Sequence, residues 1–241
     1  MHDLAQIVLL TTAAGACVPL GGFLGRIKRL GPHWLDLELR HTVIAFGAGI
    51  LLAGVAFVLV PEGSALLNSP LAGFSVLLLG GATFFLYERL IDGRKRVFPQ
   101  LNAMLLDFIP ESLALGGVLA AGSSTAQLLA LLIGLQNIPE GFNAYRELSA
   151  MPGARPRRIM ALMIALVPIG PIVGVAGWLL LSQHEAILGT VMLFASGGIL
   201  YLIFQDIAPQ TRLARHWAPP LGAVAGFGLG LLGQQYFSPV T

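Results

Sequence analysis

Two stretches, Asp107-Phe108-Ile109-Pro110-Glu111-Ser112 and Gln136-Asn137-Ile138-Pro139-Glu140-Gly141, set a proline beside a carboxylate inside otherwise apolar runs. A carboxylate in hydrocarbon costs from about 3 to more than 10 kcal/mol, so it is rarely kept there without a task. A proline leaves the carbonyl four residues earlier, here that of Leu106 or Leu135, without its helical donor. Both costs recur together, twice. The pattern points to a polar site buried at membrane depth.

Composition supplies the membrane. Of 241 residues, 56% are hydrophobic and 11% charged, against roughly 25% charged in a soluble domain. Mean hydropathy is +0.79. Eight stretches read as spans: Ile7–Leu24, Thr42–Val60, Leu71–Tyr87, Leu101–Ala121, Ala126–Tyr145, Ile159–Leu181, Ala186–Gln205 and Pro219–Phe237. Each approaches the ~20 residues that cross ~30 Å of hydrocarbon, although several are short or interrupted by Gly or Pro. The expected fold is an all-α polytopic membrane protein, one transmembrane domain over residues 1–241, with no room for a soluble domain.

Charge sets the orientation. Arg26, Lys28, Arg29 and Arg40 fall in the first connection, and Arg89, Arg94, Lys95 and Arg96 in the third. Arg146, Arg155, Arg157 and Arg158 fall in the fifth, Arg212 and Arg215 in the seventh. These are all 14 basic residues, and the intervening connections Pro61–Pro70, Gly122–Thr125 and Ser182–Glu185 hold none. Positive loops stay cytoplasmic, so both termini are expected outside. The same distribution argues against nucleic acid: the pI near 9.0 comes from short loops without interleaved aromatics, and topology accounts for it. Cys17 is the single cysteine, so there is no disulfide framework. It is expected to be a buried small apolar residue in a retained first helix.

The chain also repeats itself. Phe46-x-x-Gly49-Ile50-Leu51 leads to Pro61, and Phe194-x-x-Gly197-Gly198-Ile199-Leu200 leads to Pro209, at a constant offset of 148. By the loop charges these two spans run in opposite directions, the mark of an inverted-topology repeat. Asp107 and Gln136, then Glu111 and Glu140, share an offset of 29. The implied plan is 3+2+3, with helices 1–3 and 6–8 as repeats around a central pair, 4 and 5.

Residues four apart share a helix face, so Asp107 and Glu111 point one way, as do Gln136 and Glu140, with Asn137 on the flank. At 1.5 Å per residue, Asp107 lies about 9 Å and Glu111 about 15 Å inside the cytoplasmic end of the fourth span. The antiparallel fifth span then brings Gln136 to Glu111's level and Glu140 to Asp107's. Three carboxylates so close cannot all stay ionised without a cation or protons between them. A divalent cation, shared protons, and a purely structural cluster kept neutral by burial are the three solutions, and oxygen ligands suit the first.

These residues carry a resemblance. Along most of its length the chain resembles the ZIP (Zrt/Irt-like) metal transporters, whose fourth helix typically reads His-Asn-x-Pro-Glu-Gly and fifth His-x-x-Pro-Glu-Gly. Also similar are Phe46-Gly47-Ala48-Gly49-Ile50-Leu51 through Pro61-Glu62, and Ala195-Ser196-Gly197-Gly198-Ile199-Leu200-Tyr201 through Asp206. The resemblance implies eight membrane helices, usually a homodimer, and import of zinc, iron, manganese or related ions through a centre between helices four and five. It assigns Asp107, Glu111, Gln136 and Glu140 to ligand positions, with Asn137 where some members have aspartate. Phe108 stands in place of the motif's asparagine, and Val167-Pro168-Ile169-Gly170 resembles a Glu-Pro-Leu-Gly segment without its glutamate. One metal site is therefore expected, not a binuclear centre.

No histidine falls in that site: His2, His33, His41, His184 and His216 occupy termini and loops. Imidazole favours zinc, whereas carboxylates and carboxamides are harder, which leaves manganese, iron(II) and cadmium open beside zinc. Glu62, Gln205 and Asp206 lie at span ends, where a solvated terminus is the simpler reading than an entrance or exit. Asn143, one turn beyond Glu140, could guide ions or merely bond backbone. The expected protein is a multi-pass importer of divalent metal in the inner (plasma) membrane, surrounded by lipid. The alternative is a metal-binding membrane sensor or scaffold that does not transport. An enzyme is not expected, since HExxH, Gly-x-Ser-x-Gly and a membrane histidine are all lacking.

Overall fold

The computed structural model describes residues 2–27, 33–92, 99–211 and 217–237, and every regular element among them is helical. In chain order these are α1 (His2–Gly25), α2 (His33–Gly54), a π-helical turn π1 (Val55–Leu59), α3 (Val60–Leu67), α4 (Pro70–Asp92), α5 (Pro99–Ala120) and α6 (Ala126–Ser149). There follow α7 (Pro156–Leu166), α8 (Ile169–Leu181), α9 (Glu185–Leu202), a second π-helical turn π2 (Ile203–Ile207), α10 (Ala208–Gln210) and α11 (Ala218–Phe237). Lys28, Arg29, Arg94, Lys95, Arg96, Arg212, Arg215 and His216, which carry part of the expected charge pattern, lie outside the described residues.

Six stretches among the described residues are long and apolar enough to cross a membrane: Leu4–Gly25, Leu37–Leu67, Pro70–Leu90, Gln100–Ala120, Pro156–Leu181 and Glu185–Ile207. Two of the eight expected spans, on α6 and α11, are not in that set. α6 carries Gln127, Gln136, Asn137, Glu140, Asn143, Arg146 and Glu147, which lower its apolar character. It nevertheless buries most of its length, because α1, α2, α5 and α7 pack around it. A helix enclosed by protein need not be apolar toward lipid. α11 is built on Gly222, Gly226, Gly228, Gly230 and Gly233 and ends near Gln234 and Gln235, residues that add close packing rather than hydropathy.

Prolines shape three of the rods. Pro61 and Pro209 have no N–H to donate. Just before each, the backbone closes a wide turn: Val60 N–H bonds the Val55 carbonyl, and Ala208 N–H bonds the Ile203 carbonyl. These are i→i−5 bonds, and they define the two π turns. The turns stand 148 residues apart, from Val55 to Ile203, the offset at which the sequence repeats. Pro168 acts more strongly, splitting the expected sixth span into α7 and α8. Pro110 and Pro139 sit inside α5 and α6, which continue through them.

Glycine sets how closely the rods approach. A Cβ at Gly49 (α2) would collide with the Ala223 carbonyl of α11, and one at Gly197 (α9) with the Leu77 carbonyl of α4. A Cβ at Gly226 would strike the Phe46 carbonyl, and one at Gly80 the Phe194 carbonyl. Gly49 and Gly197, like Phe46 and Phe194, are the 148-residue equivalents. The α2–α11 and α4–α9 contacts are thus made by matched residues. Backbone approach of this kind holds helices together where lipid tails are as apolar as leucine.

Gly197→Ala should therefore force α4 and α9 apart and destabilise the protein by about 1–3 kcal/mol or more. Gly54, whose added Cβ would meet nothing within 4 Å, is the control: Gly54→Ala should leave thermal unfolding in detergent unchanged. Equal melting temperatures for the two variants would contradict this packing.

Candidate functional site

The α5–α6 hairpin is closed by a short link in which Gly122 takes φ +70, a conformation that favours glycine. Ser123 and Thr125 hydroxyls donate to Glu62 Oε1 at 3.1 and 3.0 Å, tying the link to α3. Glu62 is therefore occupied in joining helices, rather than left at a solvated terminus. The link is short enough to hold α5 and α6 antiparallel, and this puts their polar residues level.

Gln136 Nε2 donates to Glu111 Oε2 at 2.6 Å, and both side chains are buried, 1% and 2% exposed. Below them the Asp107 and Glu140 carboxyls are in side-chain contact, and each lies within electrostatic range of Glu111. Four of the five residues singled out from the sequence thus meet across the hairpin. Asn137 turns to α1 instead, where its Nδ2 donates to the Ala14 carbonyl at 2.8 Å.

Several oxygens here have no donor. Asp107 Oδ1, Asn137 Oδ1, both Glu140 carboxylate oxygens and Asn143 Oδ1 are all buried without a hydrogen-bond partner. For Asp107 and Glu140 the facing groups are themselves acceptors. A buried unsatisfied polar group costs about 1–3 kcal/mol, and more when charged. Acceptors gathered without donors have the chemistry of a cation site, or of shared protons. Among the described residues, however, no three His, Cys, Asp or Glu side chains are already set as a metal cage. The Gln136 and Asn137 amides spend N–H groups on Glu111 and on the Ala14 carbonyl, while Asn137 Oδ1 stays without a partner.

A cavity of about 400 Å³ opens from Asp107 and Glu140 toward one end of the helices, with Arg40, Glu147 and Asp206 on its walls. From the sequence Asp206 reads as a solvated terminus or, second, as part of an entrance or exit, and the structure brings it to the same cavity as the central carboxylates. The π2 turn that carries it had no signal except Pro209. Glu147 accepts the Gln100 N–H at 3.0 Å. Its carboxyl is raised from the ordinary value, first by burial, while the Gln100 N–H and the Arg40 charge pull it back.

Phe108 is 2% exposed, and its ring fills the space between Gly15 of α1 and Gly170 of α8. The Val167 carbonyl lies against Gly15 in the same region. The two positions at which ligands of a second metal were expected to be missing are thus neighbours, joined in apolar packing. Of the described histidines with placed side chains, His41 and His184, neither borders the cavity. Cys17, expected to be buried, is half-buried; its thiol donates to the Ala13 carbonyl at 3.4 Å and it lines a groove between α1 and α6.

No protein-family model matches the chain, and neither does any curated protein.

Phe108→Ala should cost about 3–5 kcal/mol of stability, as expected for a deleted core aromatic. Because the ring lies against Gly15 of α1 and Gly170 of α8, divalent-cation affinity should be retained. Thermal unfolding and equilibrium metal binding on the same sample check both halves.

Proposed function

We propose that this chain is a membrane transporter that moves a divalent metal ion into the cytosol through a single site of carboxylates and carboxamides. The observation that carries the reading is the convergence of Asp107, Glu111 and Glu140 on adjacent buried helices, with donorless oxygens facing a cavity. An ion at the centre would be stripped of water by Glu111, Gln136, Asn137, Asp107 and Glu140, and would leave through the cavity. The all-oxygen donor set suits manganese and iron(II) as well as zinc or cadmium. The resemblance to ZIP transporters rests on the paired Pro-Glu motifs and the two flanking spans.

In this reading the chain crosses the inner membrane eight times with both termini outside, α6 and α11 being the two crossings sheltered or thinned by glycine. The matched contacts of α2–α11 and α4–α9 and the equally spaced π turns support a 3+2+3 inverted repeat. Sliding or rocking of one repeat against the other would alternate access, and the transporter would work as a homodimer. A metal-binding sensor or scaffold is the second reading, favoured by the apolar packing of Phe108 where the motif has a ligand.

Uptake of Mn²⁺ and Zn²⁺ into liposomes separates them. Glu111→Ala and Glu140→Ala should each lower uptake by about 10- to 100-fold. Wild-type rates in both variants would remove these residues from the mechanism, while tight binding by the native protein without uptake would favour the sensor.

A further inference from the structure

The cavity at Asp107 and Glu140 opens toward one end of the α5–α6 hairpin. Its walls carry Gln100 from the start of α5 and Glu147 from the end of α6, with Arg40 and Arg146 beside them. The opposite end of the hairpin is the link, where Gly122–Thr125 holds no basic residue. By charge the cavity mouth is the cytoplasmic end and the link the outer one. Between Glu111 and the link the hairpin is packed instead of open. Leu115, Val118, Leu128, Leu129 and Leu132 are each 2% exposed or less and join Val58 of π1 in one apolar core. At 1.5 Å per residue this plug fills about 15 Å of the outer half.

The link is fastened over the plug. Glu62 of α3 accepts from the Ser123 hydroxyl at 3.1 Å and from the Thr125 hydroxyl at 3.0 Å, both on Oε1. The two hydroxyls are 2.9 Å apart, and the Thr125 N–H donates to Ser123 Oγ at 3.3 Å. Each hydroxyl has a single hydrogen. With the Thr125 N–H supplying Ser123 Oγ, both hydroxyl hydrogens go to the carboxylate, an acceptor that makes stronger bonds than a neutral one. α3 itself packs on α9 and α4. Glu62 therefore reaches from a helix packed elsewhere to the hairpin that carries the central carboxylates. All three side chains are half-buried, so water can replace these bonds at small net cost. That suits a contact which opens and closes better than a permanent joint.

We propose that the Glu62–Ser123–Thr125 clamp is the outer latch of the transporter. Closed, as in this structure, it holds the link down on the apolar plug while Asp107 and Glu140 face the cytoplasmic cavity. Its opening frees the link from α3, so that the same carboxylates are reached from outside. This rests on the transport reading and adds to it the contact that biases access.

Thiol labelling of the purified full-length chain in detergent tests it, with Cys17→Ala removing the native thiol. Val118→Cys reports on the plug and Ala103→Cys on the cavity wall. With the clamp intact, the Ala103→Cys thiol should label about tenfold faster than the Val118→Cys thiol. Glu62→Ala, or Ser123→Ala together with Thr125→Val, should speed labelling at position 118 by about tenfold and slow it at position 103. All three substitutions combined should do no more than either set alone, because both break one contact. Glu62→Gln keeps a carbonyl oxygen for the two hydroxyls and should restore most of the native pattern. Unchanged protection at position 118 in Glu62→Ala would overturn the latch, and so would faster labelling at both positions, which marks loosened packing. Mn²⁺ uptake by the native chain into liposomes stands in either case. Its absence, with the labels still reciprocal, would defeat the transport reading and leave the latch as a conformational switch.

Discussion

Three carboxylates cannot be brought together in a low-dielectric interior without something between them, and the rest of this structure is arranged around that constraint. Asp107, Glu111 and Glu140 lie on two adjacent antiparallel helices, within electrostatic reach of one another. The Gln136 amide donates to Glu111, backbone N–H groups reach Asp107, and both Glu140 oxygens have no donor. Lipid could not solvate such a cluster, so α6, which carries most of its polar residues, is enclosed by α1, α2, α5 and α7. The enclosing helices in turn present large apolar side chains outward, among them Leu9, Leu20 and Phe23 of α1. The polar centre and the apolar exterior are two consequences of one solvation problem.

Enclosing a polar helix requires close neighbours, and glycine provides them. Gly21 of α1 would meet the Ile138 carbonyl of α6 if it carried a Cβ, and Gly141 of α6 would meet the Val18 carbonyl of α1. Gly47 of α2 approaches the Pro139 ring, where an added Cβ would lie 2.8 Å from the ring carbon. These approaches press the neighbouring helices onto the stretch Gln136–Glu140 itself. The same device recurs at the periphery in the α2–α11 and α4–α9 pairs. Small residues therefore serve both to hold the bundle together and to keep lipid from the carboxylates.

The two π turns add local irregularity at matched places. Each precedes a proline whose missing N–H leaves a carbonyl to be reconciled, and each widens the helix by one residue. π2 also carries Asp206 to the cavity beneath Asp107 and Glu140. A regular α-helix through the same residues would display them at different angles.

Periodicity and charge in the sequence were enough to determine the helical class, the membrane character of most rods, and the level pairing of Gln136 with Glu111 and of Glu140 with Asp107. All of these depend on distance along the chain, on helical rise and on hydropathy, which are local quantities. The repeat offset of 148 was also legible, because Phe46 and Phe194, Gly49 and Gly197, and Pro61 and Pro209 stand in the chain itself. Tertiary structure decided the rest. It turned Asn137 toward Ala14, gave Glu62 to Ser123 and Thr125, and set Phe108 between Gly15 and Gly170. It also brought Asp206 to the central cavity and left Asn143 Oδ1 without a donor. The physical reason is that a polar atom's partner in a dry interior is whatever the neighbouring helix presents, and the neighbour is fixed by packing between segments far apart in sequence.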